Sequence, residues 1–205
     1  VEDEDENEIE IFVEEAKLKD LSLDATAFPN AAALQTKAEA GNLRVTTTRG
    51  DTDNDGDYEE LYAFGARSFS IWDGNGNLIF DSGDDIEVQT AAVIPADFNS
   101  TNDENGSFDD RSDNKGPEPE GVVVGKLWGR SYAFIGLERV GGIMVYDVTN
   151  PASPSFVEYV VSRDFSGDAE LGTAGDLGPE GLLLIPASQS PNGEHLLVVG
   201  NEVSG

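Results

Sequence analysis

The chain has 205 residues, of which 41 are acidic and 12 basic, giving a formal charge of -29. Such a charge repels phosphate backbones and anionic bilayers, which argues against nucleic-acid binding through a basic face and against adsorption to acidic membranes. With no cysteine, disulfide staples, thiol catalysis and cysteine zinc sites are excluded, and no stretch approaches the ~20 apolar residues of a membrane span.

The charge also sets the folded chain against itself. Bound divalent cations would relieve that repulsion and a salty medium would screen it; both explanations stay open at this level. Residues 1–10, VEDEDENEIE, are an acidic run of the kind that forms a solvated tail, and residues 1–19 are taken as that tail. The chain opens without Met or a signal-peptide pattern and stops at Gly205 after an apolar run, so it reads as a fragment of a longer protein. Residues 11–40 hold the only helical candidates: IFVEEAKLKDL carries a poor apolar stripe, whereas NAAALQTKAEA is rich in helix formers. The latter has Asn30 placed to cap it and Gly41 to end it.

From Leu43 the period changes. LRVTTT, ELYAFG, SFSIWD and NLIFDSG are short β-rich runs separated by Gly, Asn and Asp, and Gly74-Asn75-Gly76-Asn77 reads as a hairpin turn. Residues 97–118 form a long polar segment of the kind that is usually functional or disordered. Strands resume at GVVVGKL, SYAFIGLE, GGIMVYDV and SFVEYVV, then at GLLLIP and HLLVVGNE.

This pattern repeats. Pro119-Glu120-Gly121 and its apolar strand return 60 residues later as Pro179-Glu180-Gly181. Each is followed by a hairpin and a second strand, so that Glu138 and Glu202 hold equivalent places. A partial earlier unit runs through Tyr62-Ala63-Phe64-Gly65 and Ile71-Trp72-Asp73. Four short strands per unit at this spacing predict an all-β fold of β-propeller blades over residues 20–205, with a short helical segment near the N-terminus. A β-sandwich of similar strands is the alternative.

The strongest local signal is Asp51-Thr52-Asp53-Asn54-Asp55-Gly56-Asp57-Tyr58-Glu59. Calcium takes six to eight oxygens, and carboxylates at alternate positions of a tight loop can turn inward together. Asp51, Asp53 and Asp55 would give side-chain oxygens, Asp57 its backbone carbonyl and Glu59 the closing carboxylate, with Gly56 at the bend. Position 12 of an EF-hand would be Tyr62, which is no ligand, and the flanks are strands. The loop instead resembles the calcium loops between strands of integrin-type propellers. A second candidate is the recurring set Glu120, Glu138, Glu180 and Glu202 at the ends of apolar strands. Neighbouring blades would bring these carboxylates together near the mouth of a central channel to hold a cation; the alternative is ordinary strand-end glutamate. Asp73-Gly74-Asn75-Gly76-Asn77 reads as a plain turn, and His195, the single histidine, as a solvent-side turn residue. No Gly-x-Ser-x-Gly or Walker motif is present.

The stretches LSLDATAFPN, DTDNDGDYEELYAFGARSFSIWD, GNLIFDSGDD, SDNKGPEPEGV, YAFIGLERVGGIMVYDVT, DFSGD and AGDLGPEGL, with NEVSG at the end, resemble the choice-of-anchor I domain family over nearly all of residues 20–205. That resemblance implies large, secreted or surface-anchored bacterial propellers, some labelled alkaline phosphatase or phytase-like, with relatives of mesenchyme-specific glycoprotein type. On that basis this chain would hold the later blades of a larger propeller, and its partners would include the rest of that propeller. Two functions follow. One is a calcium-binding module for adhesion or structure, with a surface glycan, protein or phosphate ester as ligand. The other is a calcium-dependent phosphoesterase in which clustered calcium holds phosphate and activates water, helped by Arg111, Lys115, Lys126 and Arg139. Catalytic residues cannot be named from the sequence, and fold likeness does not settle activity.

Overall fold

The computed structural model describes residues 12–65 and 67–204, so the acidic run of residues 1–10 lies outside the described residues. The chain divides into two compact units, residues 1–64 and residues 65–205.

In the first unit, β1 (Glu15–Lys17) runs antiparallel to β2 (Arg44–Thr46), pairing Glu15 with Thr46 and Lys17 with Arg44. A 3-10 turn at Leu18–Asp20 follows β1 and buries Leu18 completely. Residues 15–19, counted with the acidic tail in the sequence, thus lie in β1 and the 3-10 turn. Two isolated bridges, Leu23 with Tyr58 and Val45 with Ala63, tie the rest of the unit together. The helix expected from Asn30 to Gly41 is only one turn, α1 (Ala31–Leu34), and the Asn30 side chain does not cap it. Helix propensity loses here to tertiary hydrogen bonds: Gln35 Nε2 donates to the carbonyls of Leu18 (3.0 Å) and Leu21 (2.7 Å), and tight turns carry the chain on to Gly41, whose N–H donates to Thr36 O.

The second unit begins with a hairpin of β3 (Ser70–Trp72) and β4 (Leu78–Asp81). Its turn is the expected one: Asp73 Oδ1 accepts from the N–H groups of Asn75 and Asn77, and Gly76 adopts φ +82°. A helix that the sequence reading missed follows, α2 (Asp85–Val93). Asp85 and Glu87 in its first turn suit the helix dipole and Pro95 stops it. Its apolar residues are not confined to one face, since Ile86 is buried while Val88, two residues on and nearly opposite, is exposed, so no helical stripe shows in the sequence.

The main sheet is an antiparallel meander of β5 (Pro119–Leu127), β6 (Arg130–Leu137), β7 (Ile143–Asp147) and β8 (Ser155–Val160), hydrogen-bonded in that order. Burial in β5 alternates residue by residue, whereas central β7 is buried along nearly its whole length, as a strand covered on both faces must be. Met144, Tyr146 and Tyr159 form the core with Ile135, Leu137, Val140 and Ile86 of α2, and Tyr146 Oη donates to Asp85 Oδ2 at 2.6 Å, fixing helix to sheet. The repeat then appears in space. β9 (Pro179–Ile185) and β10 (Leu196–Asn201) form a second hairpin. A side chain at Gly125 would collide with Leu184, and one at Gly121 with the carbonyl of Glu180. Glycine at these positions lets the first strands of two consecutive repeats lie against each other.

The described chain is therefore mostly β, with few helices, small antiparallel sheets and no closed barrel.

Candidate functional site

The loop from Asp51 to Glu59 is built by its own carboxylates. Asp51 accepts from the N–H of Asn54 (2.6 Å) and of Gly56 (3.1 Å) through different oxygens. Asn54 (φ +64°) and Gly56 (φ +99°) take left-handed backbone, which asparagine tolerates and glycine adopts freely. Glu59 folds back to accept from the N–H and Oγ1 of Thr52 at 2.6 and 2.8 Å, and its own N–H donates to Gly50 O at 2.9 Å. The result brings carboxylate oxygens of Asp51, Asp53 and Glu59 within 4.8 Å of one another.

A second trio shares Glu59. Asp24, Asp57 and Glu59 also place carboxylate oxygens within 4.8 Å of one another. Asp24 arrives from a distant segment because Tyr58 pairs with the chain at Ser22–Asp24: Tyr58 N–H donates to Ser22 O, and Asp24 N–H to Tyr58 O, each at 3.0 Å. Asp57, expected to offer its backbone carbonyl, thus also turns its carboxylate to this group, and its Oδ1 is a buried atom without a hydrogen-bond partner. Asp55 accepts from the N–H of Asp57 (3.1 Å) and belongs to neither trio. Desolvation, with Asp55 next, pushes the carboxyls of Asp53 and Asp57 up, helped by Glu59 at Asp53 and by Asp24 at Asp57. The hydrogen bonds from Thr52 hold the Glu59 carboxyl down. Among the described residues no Lys or Arg forms an ion pair with any of these five carboxylates.

The glutamate set of the second unit is arranged otherwise. Glu120 and Glu138 do meet, together with Glu118, within 4.8 Å; Glu180 and Glu202 are exposed and join no such group among the described residues. Glu118 is the residue that makes the difference. Only 3 % exposed, it holds φ +52°, a strained value for a glutamate. Its carboxylate pairs with Arg111 through Oε1, and with Lys115 Nζ (2.8 Å) and Arg139 Nε (3.3 Å) through Oε2, the latter two as ion pairs whose angles fall short of hydrogen bonds. In the repeat its place is taken by Gly178, at φ +71°. The backbone frame is the same in both units: Glu138 N–H donates to Glu118 O (2.9 Å) and Glu202 N–H to Gly178 O (2.7 Å). The second copy keeps the backbone and loses the central carboxylate, so Glu180 and Glu202 have nothing to gather around. Desolvation works against the Glu118 charge, but Lys115, Arg111 and Arg139 together hold its carboxyl below the ordinary range. Glu138, 4 % exposed, is pushed up to about 7 by desolvation and by Glu120 and Glu118, against the pull of Arg139, whose Nη2 lies 3.0 Å from Glu138 Oε1.

The polar segment 97–118 folds over this network. Arg139 also donates to Asn102 Oδ1 at 3.0 Å, and buried Arg163 donates to the carbonyls of Thr101 (2.7 Å) and Glu104 (3.2 Å). His195, expected at a solvent-side turn, is half-buried and accepts from the N–H of Ala187 at 3.2 Å.

A family model described as choice-of-anchor I domain matches residues 4–151. The chain belongs to the choice-of-anchor I family. The match begins inside the acidic N-terminal run. Within curated proteins, this choice-of-anchor I chain is similar to Gigasin-3a of Magallana gigas, 33 % identical over 186 residues, which is 84 % of this chain and 64 % of that protein. It is also similar to a mesenchyme-specific cell surface glycoprotein of Strongylocentrotus purpuratus, 31 % identical over 104 residues, which is 44 % of this chain and 13 % of that protein. The chain thus spans less than two thirds of either relative. No solved structure matches it.

Two residues of these sites escaped sequence reasoning. Asp24 stands in LSLDATAFPN, 27 residues before the loop, and only the strand-like pairing at Tyr58 brings it in. Glu118 was legible in principle: aligning the two Pro-Glu-Gly units places it opposite Gly178, a charged residue where the repeat has glycine.

Proposed function

We propose that this chain is a calcium-stabilised β-propeller module of a secreted or cell-surface protein, serving binding or structure rather than catalysis. The observation that carries the calcium reading is the pair of carboxylate trios that share Glu59, with a buried Asp57 oxygen lacking any hydrogen-bond donor. Hard oxygen ligands at this density suit calcium, and carboxylates this close repel one another unless a cation joins them. The propeller reading is supported by the four-stranded meander β5–β8, the repeat of its first hairpin as β9–β10, and the glycine-mediated contact between β5 and β9. Surface location is supported by family membership and by the name of the Strongylocentrotus purpuratus relative, a cell surface glycoprotein; among the described residues no helix is long and apolar enough to cross a membrane. The ligand would be a surface glycan, a protein or a phosphate ester. A phosphoesterase would need cations free to meet phosphate, and Arg111, Lys115 and Arg139 are engaged by Glu118 instead.

The test is thermal melting in excess chelator and after returning calcium or magnesium. Calcium should restore the melting temperature and magnesium much less, because magnesium sheds its waters reluctantly. An unchanged melting temperature in chelator would sink the proposal.

A further inference from the structure

The polar segment 97–118 holds two copies of the Asn-x-Ser/Thr acceptor pattern, Asn99-Ser100-Thr101 and Asn105-Gly106-Ser107, and the chain has no others. The pattern alone does not choose between them. The structure treats the two asparagines in opposite ways. Asn99 is wholly buried at φ +46°. Its Nδ2 donates to Glu87 Oε1 at 2.7 Å and to Ser112 Oγ at 2.8 Å, so both amide hydrogens are in use inside the protein. Asn105 is exposed on the loop, beside the turn that Gly106 makes at φ +72°. Its Nδ2 donates only to the carbonyl of Gly167, which leaves its second hydrogen free.

We propose that Asn105 is an N-glycosylation site of this protein and that Asn99 is not. In the transfer step the Asn105 Nδ2 forms a bond to the anomeric carbon of a lipid-linked oligosaccharide. The bond from that carbon to the pyrophosphate oxygen breaks, the lipid pyrophosphate leaves, and one amide proton passes to a base of the transferase. One N–H remains on Asn105, enough to keep the contact with Gly167. The Ser107 hydroxyl, which completes the pattern, is buried in the folded protein and donates to Glu104 O at 3.1 Å. The transferase must therefore read this segment before it folds. A sugar added to Asn99 at that stage would have to replace a hydrogen that Glu87 or Ser112 requires, and the chain would not close over it.

The experiment is to secrete the full chain from a eukaryotic host behind a cleavable signal peptide and purify the folded fraction. Intact mass and peptide mapping are then read, with glycosidase release in heavy-oxygen water marking each formerly glycosylated asparagine as a labelled aspartate. The expected result is one glycan, at Asn105, lost entirely in Asn105→Gln with no change in melting temperature. A folded fraction unmodified at Asn105, or one carrying a glycan on Asn99, would overturn the assignment.

Discussion

Two carboxylate clusters in this chain solve the same problem in different ways. At Glu118, Glu120 and Glu138 the protein brings its own cations, Arg111 and Lys115 from the long polar segment and Arg139 from the turn after β6. In the first unit, Asp24, Asp51, Asp53, Asp57 and Glu59 converge with no ion-pairing Lys or Arg among the described residues. A carboxylate cluster is thus informative only when the charges around it are counted. The first kind is charge-compensated within the chain; the second is the one we propose as a cation site.

The comparison is most exposed to removal of Glu118. Breaking a buried ion pair by deleting one partner costs about 3 kcal/mol or more, so Glu118→Ala should lower stability by roughly that much in denaturant titration, with or without calcium. Glu118→Gly, which relieves the left-handed strain and copies Gly178, should recover up to about 1 kcal/mol of that loss. A loss that vanished on adding calcium would mean that the two clusters are not different in kind.

Chelation comes next. A ligand at 100 times its dissociation constant contributes ~2.7 kcal/mol to the folded state, so chelator should produce a loss of that order in wild type and almost none in Asp53→Ala, whose far-UV circular dichroism should stay near native. Asp24→Asn should weaken calcium binding by about tenfold, or ~1.4 kcal/mol, and Asp55→Asn by much less, since Asp55 lies outside both trios. Equal effects at Asp24 and Asp55 would remove Asp24 from the site.

The smallest effect concerns pH. The Glu138 carboxyl is raised to about 7 from its ordinary 4.5, so the folded state binds this proton more tightly than the unfolded chain. Its contribution is fully present below about pH 4.5 and is lost as pH rises through about 7. Glu138→Gln should therefore show a shallower fall in unfolding free energy between pH 5 and pH 8 than wild type, by on the order of 1 kcal/mol in denaturant titration. Identical slopes would show that Arg139 fully compensates the charge.

What the sequence made legible follows from how local each signal is. The clustering of carboxylates in the Asp51–Glu59 loop could be read because their spacing and the glycine bend lie within nine residues. The turn at Asp73–Asn77 and the repeated Pro-Glu-Gly strands were readable for the same reason. Convergence of Glu180 and Glu202 was expected from repetition, but repetition preserves the backbone and not the side chains, as Gly178 in place of Glu118 demonstrates. Helix α2 gave no stripe because Val88 is exposed nearly opposite buried Ile86. Asp24 needed a pairing at Tyr58 that no local pattern announces.

The central claim, that the Asp/Glu loop and not the Glu118 network is the calcium site, is tested most directly by calorimetric titration of calcium into the wild type, Asp53→Ala and Glu118→Gln. The account predicts a saturable binding heat in wild type, its loss in Asp53→Ala, and its retention in Glu118→Gln at a temperature where that variant remains folded. Binding that survives Asp53→Ala, or that disappears in folded Glu118→Gln, would contradict it.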